Sequence, residues 1–283
     1  MNEYFWAVII GIVEGLTEFL PVSSTAHIRI AQELLGIPAG DAYWKMFAVV
    51  IQLGAILSVV VYFRTRLLAF VKSFPKGAEG QNTWWNHPLS LVMLAFVVTA
   101  LPCYLIDKKI GENLENFTVM AWALIIGGVV MWGVDLFFGD KGETTDIAKI
   151  SILQAVVIGC AQILAAAFPG TSRSMVTTAA GQAMGLTRSA ALEFSFFLSI
   201  PVMFAATFYK LGQFILRQKV DVSGHQWGVL AVGFFVSFIV ALVVIHFFIN
   251  WVKKHGFTPF AVYRIVVGFA LLWAIYSGMI TAN

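Results

Sequence analysis

Glu14-Gly-Leu-Thr-Glu18-Phe-Leu-Pro21-Val-Ser23-Ser24-Thr25-Ala26-His27 stands inside a chain of 283 residues, of which 59% are hydrophobic and only 12% charged. Ordinary soluble domains carry about 25% charged residues, so this composition describes an integral membrane protein. An ionisable side chain at membrane depth costs on the order of 3 kcal/mol or more. Two carboxylates, four hydroxyls and an imidazole gathered there therefore mark a site. Glu14 and Glu18 are four apart and share one helical face, roughly 6 Å from each other. Their shared burial calls for a cation or a water-filled cavity.

The stretch also decides the fold, because it interrupts an apolar segment. Six apolar runs are long enough to cross a bilayer as helices, at about 45–64, 89–107, 118–138, 190–209, 227–250 and 259–280. Residues 4–20 stop instead at Pro21, and a second short piece follows over 24–35. Residues 151–167 stop at Pro169-Gly170, and a short piece follows over 173–185. As helices these pieces reach only ~18–26 Å, against a hydrocarbon core of ~30 Å. Short, Pro/Gly-broken segments at matching places predict re-entrant hairpins with their tips inside the protein.

The halves repeat one another. In one constant register Gly11, Leu16, Pro21 and Ser24 fall on Gly159, Leu164, Pro169 and Ser172, while Phe47 and Tyr62 fall one register away on Phe194 and Tyr209. The expected fold is all-α and polytopic: a single membrane domain in two repeats, 1–139 and 140–283, with hairpins at 4–35 and 151–185. Each half adds three spans to its hairpin, so the second half starts from the opposite side and the repeat is inverted, with the tips meeting near the midplane.

One side collects Arg64, Arg66, Lys72, Lys76, Lys141, Lys149, Arg188, Lys253 and Lys254; the other collects Lys45, Lys108, Lys109, Lys210, Arg217 and Lys219. The larger set places the first side in the cytoplasm. Residues 72–88, with Trp84-Trp85, read as an interfacial cytoplasmic linker. A net charge of +3 is too small and dispersed for nucleic-acid binding. Cys103 and Cys160 lie in apolar segments and give neither a disulfide framework nor metal-ligand spacing. Asn2 and Glu3 stand where a signal peptide has its positive region, so cleavage of a leader is not expected.

The second tip reads Phe168-Pro169-Gly170-Thr171-Ser172-Arg173-Ser174. A permanently charged guanidinium fork, hydroxyls and free N–H groups at a helix start make an anion site. If the tips meet, Arg173 faces Glu14 and Glu18. The carboxylates then hold Mg²⁺ or Ca²⁺ and Arg173 clamps a phosphate. Ser24 and His27, three apart on one face, can act as hydroxyl and base. A Glu–Arg pair could instead merely stitch the hairpins, and Ser23 and Thr25 could satisfy backbone freed by Pro21. Arg29 and Arg264 are expected to snorkel or pair, and Asp107 and Asp135 to be solvated at span ends. Glu193 is expected to be interfacial or structural.

At these residues the chain resembles the bacterial undecaprenyl-diphosphate phosphatases linked to bacitracin resistance. The resemblance covers nearly the whole length. It is most specific at residues 14–25 and at Pro169-Gly-Thr-Ser-Arg173-Ser, with lesser echoes at Val50-Ile-Gln-Leu-Gly54, Glu193-Phe-Ser-Phe196 and Tyr263-Arg264. It implies a catalytic set of Glu14, Glu18, Ser24, His27 and Arg173, with Ser23, Thr25, Ser172, Ser174 and Thr177 as phosphate contacts. It also implies a divalent cation, an inverted-repeat fold and recycling of the lipid carrier for cell-wall synthesis. The expected partners are a polyprenyl diphosphate and membrane lipid, with a homodimer left open as an assembly. The expected location is the bacterial cytoplasmic membrane, with the site open to the outer side.

Ser24, His27 and water all remain open as the nucleophile, with Ser24 preferred and His27 as its acid/base partner. A polyprenyl-phosphate flippase or secondary transporter is the alternative on the same repeat; the Ser-x-x-His pairing beside an acidic pair favours the enzyme. Ala26 and Met175 stand where the family usually has glycine. A side chain at either position is expected to tighten the site, Met175 more than Ala26.

Overall fold

The computed structural model describes residues 2–38, 40–77, 83–105, 116–139, 141–217 and 221–280. The expected Asp107, Lys108, Lys109 and Lys219 and the 139/140 repeat boundary fall on or against stretches outside the described residues. Eleven α-helices are described: α1 (Glu3–Thr17), α2 (Ser24–Leu34), α3 (Ala42–Tyr62), α4 (Arg64–Ser73), α5 (Pro88–Leu105), α6 (Phe117–Phe138), α7 (Ile152–Ala167), α8 (Arg173–Ala183), α9 (Arg188–Gly212), α10 (Gly224–His255) and α11 (Thr258–Tyr276). Six of them, α3, α5, α6, α9, α10 and α11, are long and apolar enough to cross a membrane. The protein is an all-α, multi-pass membrane protein.

The helix starts follow from local chemistry. Asn2, Asp41, Asn116 and Thr187 cap α1, α3, α6 and α9 with their side-chain oxygens. Ser151 with Gln154 and Ser223 with Gln226 form reciprocal capping boxes at α7 and α10. Helix α4 lies directly after the first span and overlaps the expected 72–88 linker only at its last two residues. Its Arg66 bonds Asp146 at 2.6 Å and also reaches Glu193 of α9, which ties α4 to α9 through an ion pair.

The other four short helices, α1 with α2 and α7 with α8, are the hairpins. Helices α1 and α7 have 15 and 16 residues, about 22–24 Å of rise, and α2 and α8 are shorter still. Each hairpin packs on the middle span of the other half, α1 on α10 and α7 on α5, while α3 meets α9 and α6 meets α11. This exchanged pairing is compatible with an inverted repeat. Two register-matched glycines make the close approaches. A Cβ on Gly11 would lie 2.7 Å from the Gly233 carbonyl, and one on Gly159 would lie 2.7 Å from the Ala95 carbonyl.

Asp135 was expected to be solvated at its span end. It is buried and accepts from Arg188 Nε at 2.7 Å, from the Phe257 and Thr258 amides at 3.0 and 3.3 Å, and from Thr258 Oγ1 at 3.1 Å. The N–H groups that open α11 need an acceptor, and a carboxylate from α6 supplies it more strongly than headgroup water.

Gly11→Ala and Gly159→Ala should each lower stability by about 1–3 kcal/mol, because backbone carbonyls cannot step aside cheaply. Gly133→Ala, which meets nothing within 4 Å, should be neutral or stabilising by up to about 1 kcal/mol. Thermal unfolding of the three variants in detergent checks the contrast.

Candidate active site

The hairpin tips meet. Pro21 ends the first helical piece and Pro169-Gly170 the second, which leaves carbonyls at membrane depth without helical partners. Arg264 of α11 supplies them: Nη1 donates to the Pro21 carbonyl at 3.1 Å, and Nη2 donates to the Gly170 and Ala123 carbonyls at 3.1 and 3.0 Å. Its side chain is fully buried at 0% exposure. The expected snorkelling or ion pairing is replaced by a three-carbonyl clamp, because the tips need donors and the guanidinium needs acceptors. Ser174 adds a second link by donating to the Leu20 carbonyl at 3.0 Å. Arg29 does pair, with Gln32 at 3.2 Å and with the face of Phe117.

After each tip a serine opens a short helix in unusual backbone geometry. Ser23 (φ 76°) and Ser172 (φ 73°) are the only non-glycine residues with positive φ among the described residues. Each caps its helix, Ser23 accepting from the Ala26 amide and Ser172 from the Met175 amide. Strain of this kind costs on the order of 1–3 kcal/mol and clusters at functional turns. Its effect is to start α2 and α8 with Ser24 and Arg173 facing one another across the tips.

Glu18 joins them. Ser24 Oγ donates to Glu18 Oε2 at 2.6 Å, and Arg173 Nη2 donates to Glu18 Oε1 at 3.0 Å. Arg173 Nη1 donates to the Ser195 carbonyl at 3.1 Å, while its Nε has no partner. Glu14, one turn before Glu18, is fully buried, and neither of its carboxyl oxygens has a hydrogen-bond donor. These orphaned oxygens suit a hard cation. Among the described residues no group of three or more His, Cys, Asp and Glu gathers. A cation at this place would draw on Glu14 and Glu18 and complete its shell with substrate and water oxygens, which is the pattern Mg²⁺ favours.

Glu18, Ser23, Ser24, Thr25, Ser172 and Arg173 line one end of a cavity of about 490 Å³ that extends between α5, α7 and α9 to Tyr104, Tyr209 and Lys210. Its middle is largely apolar, with Phe96, Ala165, Val202 and Ala206 in the wall. Ser174 and Thr177 are not in that wall. Thr177 donates to the Arg173 carbonyl at 2.8 Å and meets Ser195 Oγ at 2.7 Å. His27 is not brought to Ser24 either. Its Nδ1 lies 2.7 Å from the Ser23 carbonyl and its Nε2 lies 2.8 Å from Tyr263 Oη. Those partners place the ring proton on Nδ1. The expected Ser24–His27 pair gives way to Ser24–Glu18, because the turn at Ser23 points the hydroxyl back at α1.

Met175 and Ala26 do not reach the cavity. Met175 is buried in the core against Gly127, and Ala26 packs with Met120 and Ala121. The expected narrowing of the site is therefore absent. Sequence reading missed Thr99 and Gln162 and gave Gln52 no site role, although it stands in the Val50–Gly54 echo; all three line the cavity. Their signal was polar side chains in the middle of apolar runs.

A polytopic helical membrane protein with a carboxylate, a serine and an arginine joined across two broken hairpins is the class that this fold and site define. The model of the family described as bacitracin resistance protein BacA matches residues 7–270, and the chain belongs to that family. It is 56% identical over 97% of its length to an undecaprenyl-diphosphatase of Koribacter versatilis, covering 99% of that protein. It is 42% identical to one from Caldanaerobacter subterraneus subsp. tengcongensis, covering 95% of both chains. It is 41% identical to one from Lactobacillus delbrueckii subsp. bulgaricus, covering 95% of this chain and 96% of that one.

Arg264→Leu should cost about 3 kcal/mol or more, since it strips a shared donor from three buried carbonyls. Met175→Ala should cost about 2–5 kcal/mol through the cavity it leaves. Its activity per folded molecule should match the parent. Unfolding curves and turnover measured on the same preparations test both.

Proposed function

We propose that the protein is a membrane-embedded phosphatase that hydrolyses undecaprenyl diphosphate to undecaprenyl phosphate and inorganic phosphate. This recycles the lipid carrier of cell-wall synthesis and gives bacitracin resistance. The observation that carries this reading is the Ser24 hydroxyl held by Glu18 opposite Arg173, in one cavity, in a chain of the bacitracin resistance family.

On this reading the diphosphate lies at the tips and the lipid chain leaves along the apolar middle of the cavity. Arg173 Nε is the unused donor that takes an anionic oxygen of the terminal phosphate, and the N–H groups at the starts of α2 and α8 add positive potential. Ser24 Oγ attacks the terminal phosphorus and its proton passes to Glu18 Oε2. The bridging P–O bond breaks, undecaprenyl phosphate leaves with that proton passed on from Glu18 to its released oxygen, and the terminal phosphoryl group stays on Ser24. Water then forms the new O–P bond as the Ser24 Oγ–P bond breaks. One water proton remains on the phosphate and the other returns through Glu18 to Ser24 Oγ. His27 acts at one remove: its Nδ1–H on the Ser23 carbonyl holds the strained turn that aims Ser24. Ser23, Thr25 and Ser172 complete the phosphate contacts from the cavity wall.

Glu14 and Glu18 would hold a divalent cation, Mg²⁺ or Ca²⁺, which supplies charge neutralisation at the phosphate oxygens. The orphaned Glu14 oxygens support this. The bacterial cytoplasmic membrane is the proposed location, with the cavity open outward. The Lys/Arg asymmetry supports the orientation, because Tyr104, Tyr209 and Lys210 stand at the opposite end from Arg66, Asp146 and Arg188.

Glu18→Gln should purify normally and lose most phosphate release, because the amide can neither take the Ser24 proton nor pair fully with Arg173. Arg173→Lys keeps the charge and loses the fork, and should be similarly crippled. Inorganic phosphate released from undecaprenyl diphosphate in detergent, with and without EDTA, is the measurement. Near-parental turnover in Glu18→Gln sinks the carboxylate mechanism, and full activity in EDTA removes the cation.

A further inference from the structure

Gln162 stands in the α7 wall of the cavity, is only 2% exposed, and takes no part in the chemistry above. Its amide is oriented by its neighbours. Thr99 Oγ1 sits 2.8 Å from the Gly159 carbonyl and 2.9 Å from the Ala95 carbonyl, so its single proton is committed to backbone oxygens. Toward Gln162 that hydroxyl can only accept, and it does so from Nε2 at 3.2 Å. The other end of the amide, Oε1, is buried without any donor. An orphaned buried acceptor costs on the order of 1–3 kcal/mol, so its retention points to a ligand that supplies a proton.

The chemistry of the reactants selects that ligand. The oxygens of a diphosphate at neutral pH are overwhelmingly acceptors, and they are suited to Arg173 Nε, the unused donor in the same wall. Water, the second reactant, donates two hydrogen bonds. Among the buried side-chain atoms of the lining residues, Arg173 Nε is thus an unpaired donor and Gln162 Oε1 an unpaired acceptor, set before two reactants of opposite need. The repeat points the same way. In the register that matches Gly11 with Gly159, Gln162 takes the place of Glu14, so the second hairpin carries an uncharged acceptor where the first carries a carboxylate.

We propose that Gln162 Oε1 holds the hydrolytic water. This rests on the phosphatase reading above. Gln162 accepts a hydrogen bond and no proton. The held water forms its O–P bond as the Ser24 Oγ–P bond breaks, with the protons distributed as already described.

The test uses the full-length protein in detergent with undecaprenyl diphosphate. Gln162→Met keeps the volume and removes the acceptor, and Thr99→Val frees the amide without touching it. Gln162→Met should lower kcat roughly 10–100-fold with KM falling alongside it and kcat/KM essentially unchanged, because only the breakdown of phosphorylated Ser24 is slowed. Thr99→Val should show the same split, less severely. With methanol added as a competing acceptor, the share of methyl phosphate among the products should rise in both variants, because water has lost its holder and methanol never had one. A raised KM at unchanged kcat would make Gln162 a substrate-binding group and overturn the proposal. Unchanged kinetics and unchanged partition overturn it as well. Should Gln162→Met fail to fold, Thr99→Val decides alone by the same criteria. Absence of phosphate release from the parent protein would instead remove the phosphatase reading itself.

Discussion

A single guanidinium, that of Arg264, reconciles two facts that otherwise conflict. A hairpin that turns at membrane depth must expose backbone carbonyls there, and the hydrocarbon around it offers no donors. A permanent charge on a span must in turn find acceptors or leave the bilayer. Arg264 meets both needs by donating to Pro21 of one tip and Gly170 of the other. Its third contact, to Ala123 of α6, fixes it to the span beside both tips. The separation of the tips is therefore set by the dimensions of one planar group. The spacing of Glu18, Ser24 and Arg173 inherits it.

Upon that frame the two strained serines do the aiming. Glycine would reach their backbone geometry without strain, yet it would give up the hydroxyl that caps the helix and enlarge the set of unfolded conformations. Serine keeps the cap and carries the strain, which the surrounding contacts must hold in place. His27 on the Ser23 carbonyl and Ser174 on the Leu20 carbonyl are such contacts. The result is a pair of half-length helices that both begin at the Glu18–Arg173 end of the cavity.

The architecture was legible because membrane depth and backbone satisfaction leave few options. Runs of about 20 apolar residues become spans, and runs broken by Pro21 or Pro169-Gly170 become hairpins. Boundaries departed by a few residues where local caps decide them, as at Thr187, and α9 with the turn after it carries the fourth span on to Leu216. Within the site the Glu18–Arg173 contact was readable, since opposite charges at two midplane tips have few other partners. The partner of Ser24 was not. Helical spacing favoured His27, and both residues do lie on α2, but the Ser23 carbonyl and Tyr263 hold the His27 ring while the Ser24 hydroxyl turns back to Glu18. Asp135 and Arg264 were misjudged for a common reason. Sequence shows how far a charge lies along a span, while burial depends on which helix ends arrive beside it. Gln162 and Thr99 were overlooked because an uncharged amide or hydroxyl in an apolar run is cheap enough to pass for packing.

The exchanged packing of the hairpins constrains how the chain can be made. Helix α1 packs on α10, and α7 packs on α5. During synthesis α1 is therefore finished long before its partner exists, whereas α7 emerges to find α5 already in place. A hairpin of this length cannot span the bilayer by itself, and it carries Glu14 and Glu18 into a lipid environment without Arg173. The first hairpin must then wait at the membrane surface or in a provisional contact until the second half has been inserted. Only then can the tips come together. The second hairpin, which bears the arginine, docks on a scaffold that is already built. The order of insertion makes the acidic half the vulnerable one.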